Sequence, residues 1–195
     1  PSVLATLVSD KRNFPNLSMV GVDDRAASYQ AVSYLIQQGH SKIAVLGGPV
    51  TSYPSMMRRE GAQQAMRDAG IQFNDNLYGL SNYDFESAYH AMNSLLARRA
   101  EFTALFAMSD VIAFGAIRAL VSAGFRVPED VSVIGFDGIT MSRYCVPVMT
   151  TIVQPSEQIA LQSIELLVRQ IEHGAPAQTI TLQPELQRGE SVRAI

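Results

Sequence analysis

The 195-residue chain contains one cysteine, Cys145. A single thiol rules out an intramolecular disulfide and is compatible with a reducing compartment, so we expect a cytoplasmic protein. Free cysteine usually packs as a small apolar residue, and we interpret Cys145 in this way rather than as a nucleophile. The sequence has no signal peptide and no apolar run near the roughly 20 residues that a membrane span needs. We therefore expect no membrane contact.

Charged residues are scarce as well, at 17% of the chain, and the formal net charge is −3. A mildly acidic chain without a basic run cannot by itself grip a phosphate backbone strongly. Any contact with nucleic acid must therefore come from another segment. The 47% hydrophobic content indicates a globular protein with an ample core and one to two domains.

Catalytic and metal-binding patterns are missing too. The three histidines, His40, His90 and His173, lie far apart in the sequence, without the spacing of metal ligands or of a Ser/His/Asp arrangement. The Gly47–Gly48 pair lacks both the Lys-Ser/Thr of a phosphate loop and the G-x-G-x-x-G fingerprint. We predict that the chain is not an enzyme and holds no metal and no cofactor.

Short apolar runs alternate with amphipathic helical patterns along most of the chain. This alternation is typical of an α/β fold with a doubly wound parallel sheet. We predict strands at 18–22, 43–46, 76–80, 103–108, 131–136 and 150–153, and a final strand pair at 179–186 and 191–194. Helices are predicted over 26–38, 55–69, 112–123 and 156–172, with a further helix that Asp84 caps.

The stretch 101–139 carries the most information. Its first strand stops at Ser109 and Asp110, two good helix N-cap residues, and its second stops at Asp137 and Gly138. In a right-handed β-α-β unit these residues cluster at the carboxyl ends of parallel strands, where open α/β sheets bind ligands. For Asp137, a solvated loop residue and a ligand carboxylate are both admissible interpretations.

Three more residues are expected at the same edge. Arg58 lies in the first turns of a helix that follows a strand and a Gly-Gly-Pro loop, and its guanidinium could grip hydroxyls or a carboxylate. The alternative is a solvated helix arginine like its neighbour Arg59. Tyr53 and Tyr83 lie in loops, where an aromatic face can stack on a sugar ring or a base or simply pack the loop.

With these residues in place, the chain resembles the effector-binding core of the lactose/galactose repressor family of bacterial transcription regulators. Six blocks match in order: LIQQGHSKIAVLGG, MRREGAQQAMRDAGI, FTALFAMSDVIAFGAIRAL, GFRVPEDVSVIGFDGI, TTIVQPSEQIA and ELQRGESV. The resemblance implies a periplasmic-binding-protein-like fold of two lobes, with a small sugar-like effector in the cleft between them. One lobe would be incomplete, since we assign 1–17 and 151–177 to a remnant of the N-terminal lobe and 18–150 and 178–195 to the C-terminal lobe.

The resemblance also implies residue roles and partners. Arg58 and Asp137 fall on the family's ligand-holding arginine and aspartate, Tyr83 on an aromatic that packs against the ligand, and Ser109 on a frequent asparagine or aspartate. Asp110 is expected to be a helix cap and structural anchor. The helix 111–120, with Phe114 outward, and the segment from Met141 to Tyr144 would contribute to a homodimer contact, and Tyr53 is a further candidate at the ligand edge.

The family's helix-turn-helix, through which members bind operator DNA, does not occur in this sequence, and we expect the chain to be part of a longer protein. A second departure is Gly138, which stands where the family has a second aspartate and is more reminiscent of periplasmic sugar receptors. Such a receptor feeding a transporter therefore remains the alternative to a regulator.

Overall fold

Strands and helices alternate in the computed structural model, which describes residues 1–6 and 16–195. Residues 7–15 of the segment that we assign to the N-terminal lobe lie outside the described residues. The predicted α/β class with parallel sheets is confirmed. The strands are β1 Val3–Ala5, β2 Ser18–Val22, β3 Ile43–Gly47, β4 Tyr78–Leu80, β5 Ala104–Ala107, β6 Ser132–Asp137, β7 Thr150–Val153, β8 Thr179–Leu182 and β9 Glu185–Gln187. The helices are α1 Asp24–Gln37, α2 Tyr53–Asp68, α3 Phe85–Ala97, α4 Asp110–Ser122 and α5 Ser156–His173, with 3-10 turns at Asp75–Leu77 and Thr140–Arg143.

The described chain divides into two units. The larger, 24–153 with 186–195, contains a six-stranded sheet in the order β4-β3-β5-β6-β7-β9. Strands β3, β4, β5, β6 and β7 pair in parallel. Strands β3 and β5 are buried along their whole length, which explains why their sequences are continuous apolar runs.

The smaller unit, 1–23 with 154–185, contains the parallel sheet β1-β2-β8. Helix α5 packs on this sheet through Ile159 and Leu166, which form a core with Val20. The unit boundaries differ from the ones that the sequence suggested, because the strand 18–22 pairs with β1 and β8 and so belongs to the smaller unit. The assignment of the units to N-terminal and C-terminal lobes remains a prediction.

Two helix pairs in the larger unit approach so closely that only glycine fits at the contact. A Cβ on Gly61 of α2 would lie 2.1 Å from the Arg25 carbonyl oxygen of α1. A Cβ on Gly115 of α4 would lie 2.5 Å from the Phe85 carbonyl oxygen of α3. These glycines set how tightly α1 packs on α2 and α3 on α4.

The predicted strand pair at the end of the chain is wrong. Strands β8 and β9 belong to different sheets, and the described residues 191–194 are not a strand. Ser191 holds this segment through its backbone and its side chain. Its amide donates to the Val148 carbonyl at 3.0 Å and its carbonyl accepts from the Val133 amide at 2.7 Å. Its buried Oγ donates to the Val133 carbonyl at 2.6 Å and accepts from the Thr150 amide at 2.8 Å. The strand predicted at 76–80 is shortened to β4, since Asn76 and Leu77 belong to a 3-10 turn.

The predicted cap at the start of α3 is confirmed, with Asp84 Oδ1 accepting from the Ser87 amide at 2.7 Å. Within the described residues, none of the helices is both long enough and apolar enough to cross a bilayer.

Candidate functional site

The carboxyl ends of β3, β5 and β6 lie side by side in the larger unit, and the helices α2 and α4 begin just beyond them. We call this region the carboxyl edge. The structure places Arg58, Ser109, Asp110 and Asp137 there. The site is therefore assembled from segments of the chain that are distant in sequence but share one end of one sheet.

Arg58 is fixed by contacts on several sides and is only 6% exposed. Its Nε donates to Asp24 Oδ1 at 2.7 Å, and its Nη1 donates to the Met108 carbonyl oxygen at 2.5 Å and lies 3.4 Å from Asp137 Oδ1. The guanidinium carbon lies 3.7 Å from the centroid of the Phe136 ring. The alternative of a solvated helix arginine is therefore wrong for Arg58.

Asp24 is the residue of this edge that sequence reasoning missed. The Asp23–Asp24 pair has the composition of a helix cap, but Asp24 is the first residue of α1, and its side chain is 3% exposed against the buried Arg58. A buried carboxylate requires a partner charge or hydrogen bonds. The available signal was an acidic pair after a buried strand, since Asp23 comes directly after β2 and Asp24 follows it.

Asp137 ends β6 with a side chain that is 27% exposed. Its backbone φ is +111°, a value that residues other than glycine rarely adopt. The next residue must be glycine, because a Cβ on Gly138 would lie 2.7 Å from the Val153 Cα. The turn therefore directs the chain sharply away from the strand and leaves the Asp137 carboxylate partly accessible beside Arg58.

The predicted capping role of Asp110 needs correction. The cap of α4 is Ser109, whose Oγ accepts from the Ile112 amide at 3.1 Å. Asp110 is the first helical residue, is fully buried and accepts from Thr151 Oγ1 at 2.6 Å and from the Ile139 amide at 2.9 Å. It binds across to β7 and to the turn after β6, because the start of the helix lies between them.

The two candidate tyrosines are placed differently. The Tyr83 hydroxyl shares a 2.6 Å hydrogen bond with Ser55 Oγ, and a Cβ on Gly48 would lie only 2.0 Å from the Tyr83 ring. The Tyr83 ring can therefore pack against the loop after β3 only because Gly48 has no side chain. Tyr53 is the partly exposed first residue of α2.

An apolar groove of about 540 Å³ lies on another face of the larger unit; we call it the α4 groove. Phe114 and Met141, both predicted dimer residues, line it, and Tyr144 is 77% exposed close by in the chain. Cys145 also lines the groove, where burial raises the pKa of its thiol and so disfavours the reactive thiolate. The other lining residues are Phe85, Ile117, Arg118, Val121, Val146 and Pro147.

The histidines are not gathered into one site. His40 is buried, with Nδ1 2.9 Å from Thr103 Oγ1 and Nε2 3.1 Å from the Arg193 carbonyl oxygen, whereas the side chains of His90 and His173 are mostly exposed. Among the residues that the structure describes, no group of three or more His, Cys, Asp or Glu side chains could hold a metal ion.

Comparison with known proteins decides the family. The sequence profile of the periplasmic binding protein-like domain matches residues 32–192. The chain belongs to this family. The predicted resemblance is confirmed, because the relatives that match are regulators of the lactose repressor type. These relatives favour a regulator over a transport receptor.

The matches with curated relatives cover nearly all of this chain. The transcriptional repressor PurR of Histophilus somni is 35% identical over 181 residues, which are 92% of this chain and 54% of the relative. The transcriptional regulator MalR of Clostridium butyricum is 35% identical over 192 residues, 98% of this chain and 57% of the relative. The chain thus spans a little over half the length of the curated relatives it matches.

Solved structures of regulators superpose closely. The transcriptional regulator CelR in complex with cellobiose is 31% identical with a TM-score of 0.89, and the match covers 97% of this chain and 57% of that one. A regulator of the lactose repressor family from Enterococcus faecium with bound ribose is 28% identical with a TM-score of 0.87, covering 100% of this chain and 70% of that one.

Proposed function

We propose that this chain is the effector-sensing core of a bacterial transcription regulator, and that a sugar or sugar derivative binds at the carboxyl edge. The observation that carries the proposal is the pairing of Arg58 and Asp137. Arg58 is held rigidly by Asp24 and the Met108 carbonyl, while Asp137 beside it keeps part of its carboxylate accessible. A fixed donor next to an accessible acceptor suits neighbouring hydroxyls of a sugar ring.

Other residues of this edge add complementary groups. Tyr83, seated on Gly48, and Tyr53 at the start of α2 offer aromatic faces on which the apolar face of a sugar ring can stack. Ser109 uses its oxygen to cap α4, so its contribution is the donation of its hydroxyl hydrogen. The cellobiose and ribose complexes of the structural neighbours support a sugar as the effector class.

We further propose that the protein works as a homodimer in the cytoplasm and is not an enzyme. The α4 groove, with exposed Met141 and Tyr144, is the proposed contact between copies. Operator DNA would be bound through a helix-turn-helix domain that does not occur in this sequence, as the regulator relatives suggest. The larger unit is assigned to the C-terminal lobe and the smaller unit to the N-terminal lobe.

The effector is sought by thermal shift with a panel of neutral sugars that includes cellobiose and ribose, since a ligand that binds only the folded state raises the melting temperature. Calorimetry with a sugar that shifts the parent then compares Arg58→Ala and Asp137→Ala. Each should lose about 1.5–3 kcal/mol of binding free energy, as expected for a hydrogen bond to a charged group.

Arg59→Ala and Asp75→Ala are matched controls, because these residues form a more exposed ion pair on the same unit. Both should bind as the parent does. Parent-like affinity of Arg58→Ala or Asp137→Ala would contradict the proposed site, and measurable turnover of a sugar by the purified protein would contradict the proposed absence of catalysis.

A further inference from the structure

The carboxylate of Asp110 joins parts of the chain that come together at the carboxyl edge. It accepts hydrogen bonds from Thr151 of β7 and from the Ile139 amide, at 2.6 and 2.9 Å. The neighbouring Gly138 amide also helps to lower its pKa. All of these groups present an N–H or O–H to a carboxylate that has no exposed surface.

The surroundings of Asp110 are shaped for this contact. A Cβ on Gly135 would lie 2.2 Å from Asp110 Oδ1, so the strand β6 leaves the carboxylate room only because glycine stands there. Burial raises the pKa of Asp110 to about 6, against the opposing effect of its hydrogen bonds. The neighbouring titratable groups are Asp137 and Cys145, and Asp137 faces Arg58 in turn.

The Ile139 amide that Asp110 holds comes two residues after Asp137 in the chain. Asp137 has the unusual φ of +111°, and a backbone in that region persists only where its surroundings fix it. Release of Ile139 would allow the turn to relax toward an ordinary conformation and would move the Asp137 side chain with it.

We propose that Asp110 is a positioning residue, which holds the amide of Ile139 and thereby fixes the Asp137 carboxylate beside Arg58. Asp110 itself has no surface for an effector and acts through the turn. The functional meaning rests on the proposed role of Asp137 in effector binding. The positioning is nevertheless measurable without any effector, so its failure and the failure of the proposed function are distinguishable.

The test uses amide NMR of the full chain between pH 5 and 8, with no ligand added. In the parent, the Ile139 signal should titrate with a midpoint near 6, because its amide donates to the ionising group. Asp110→Asn should abolish this titration yet keep Ile139 protected from hydrogen exchange, since the amide carbonyl still accepts. Asp110→Leu has no acceptor, and its Ile139 amide should exchange about tenfold faster or more.

Asp84→Leu is the matched control, since it removes an N-cap aspartate elsewhere in the same unit and should leave Ile139 unchanged. A titration that persists in Asp110→Asn, or parent-like exchange of Ile139 in Asp110→Leu, would overturn the proposal. So would a crystal structure of Asp110→Leu in which Asp137 keeps its 3.4 Å distance to Arg58. If Asp110→Leu does not fold, Thr151→Val provides the test. Loss of the Thr151 hydroxyl donor should raise the midpoint of the Ile139 titration, because this hydrogen bond stabilises the ionised carboxylate. An unchanged midpoint would refute the role of Asp110.

Discussion

Asp24 and Asp137 both face Arg58, and the structure predicts losses of stability of different size when each is replaced by asparagine. The Arg58 and Asp24 side chains are 7% and 3% exposed and lie 2.7 Å apart. Removal of one partner from a buried ion pair leaves an uncompensated charge and typically costs about 3–5 kcal/mol. Asp137 is 27% exposed and lies 3.4 Å from Arg58, closer to the regime of surface pairs, which contribute about 0–1 kcal/mol.

Asp24→Asn should therefore lower the free energy of unfolding by about 3 kcal/mol and Asp137→Asn by about 1 kcal/mol at most. Urea denaturation followed by circular dichroism measures both values. With a urea dependence of about 1–3 kcal/mol per molar, the midpoint of Asp24→Asn should fall by about 1 M or more. Asp75→Asn is the control, because its side chain is 83% exposed.

Equal destabilisation by Asp24→Asn and Asp137→Asn would refute the distinction between Asp24 as the buried partner of Arg58 and Asp137 as a partly exposed one. A loss below about 1 kcal/mol for Asp24→Asn would show that Arg58 does not depend on this partner. Reduced effector binding by Asp137→Asn at parent-like stability is the combination expected of a ligand contact.

Gly61→Ala should destabilise by about 1–3 kcal/mol despite the higher helix propensity of alanine, because the new Cβ meets a backbone carbonyl of α1; exposed Asp68→Ala on the same helix should stay within about 0.5 kcal/mol in urea. Burial lowers the pKa of His40 below 6.5, so its contribution to stability is present above that pH and is lost as the pH falls through the folded-state pKa. His40→Phe should flatten this part of the pH profile of the melting temperature, and an unchanged profile would contradict it. Tyr144→Asp should weaken self-association in sedimentation, whereas exposed Ile195→Asp should not; parent-like association of Tyr144→Asp would count against the proposed dimer surface.

The positions of Arg58 and Asp137 illustrate what local pattern could predict. Each follows a recognisable apolar strand, and the rule that parallel strands share a carboxyl edge brings them together without any knowledge of side-chain contacts. Apolar periodicity and caps such as Asp84 likewise depend on neighbours within a few residues. The same reasoning could not decide whether Arg58 is buried, because its burial depends on Asp24 and Phe136, both distant in sequence.

Ser191 and Ser109 show why the remaining predictions failed. The segment 191–194 has the composition of a strand, but its hydrogen bonds mix backbone and side-chain groups. Ser191 bonds to Val133 through both its backbone and its side chain, and the Arg193 amide donates to Ser132 Oγ. Ser109 and Asp110 are both good N-cap residues, and the choice between them depends on Thr151, which lies in β7. The hydrogen-bond partners of such polar side chains depend on tertiary contacts, so the local sequence does not predict them.

Burial and partners give the aspartates of the carboxyl edge different roles. Asp24 is balanced by Arg58, Asp110 is enclosed among uncharged donors, and Asp137 remains partly accessible for a ligand. Because burial raises the pKa of Asp110 from 3.8 to about 6, the ionised form is disfavoured in the folded state. The contribution of Asp110 to stability therefore falls as the pH rises through about 6.

Asparagine at this position does not titrate, so the stability of Asp110→Asn relative to the parent should improve by about 1 kcal/mol between pH 5 and pH 8. Urea denaturation at the two pH values gives this difference directly. Any cost from altered packing or lost hydrogen bonds is common to both pH values and largely cancels in the comparison. If the difference in stability between Asp110→Asn and the parent stays constant with pH, the pKa of Asp110 is the same in the folded and the unfolded chain. Asp110 is completely buried in this structure, and burial raises the pKa of a carboxyl group, so that result would contradict this prediction.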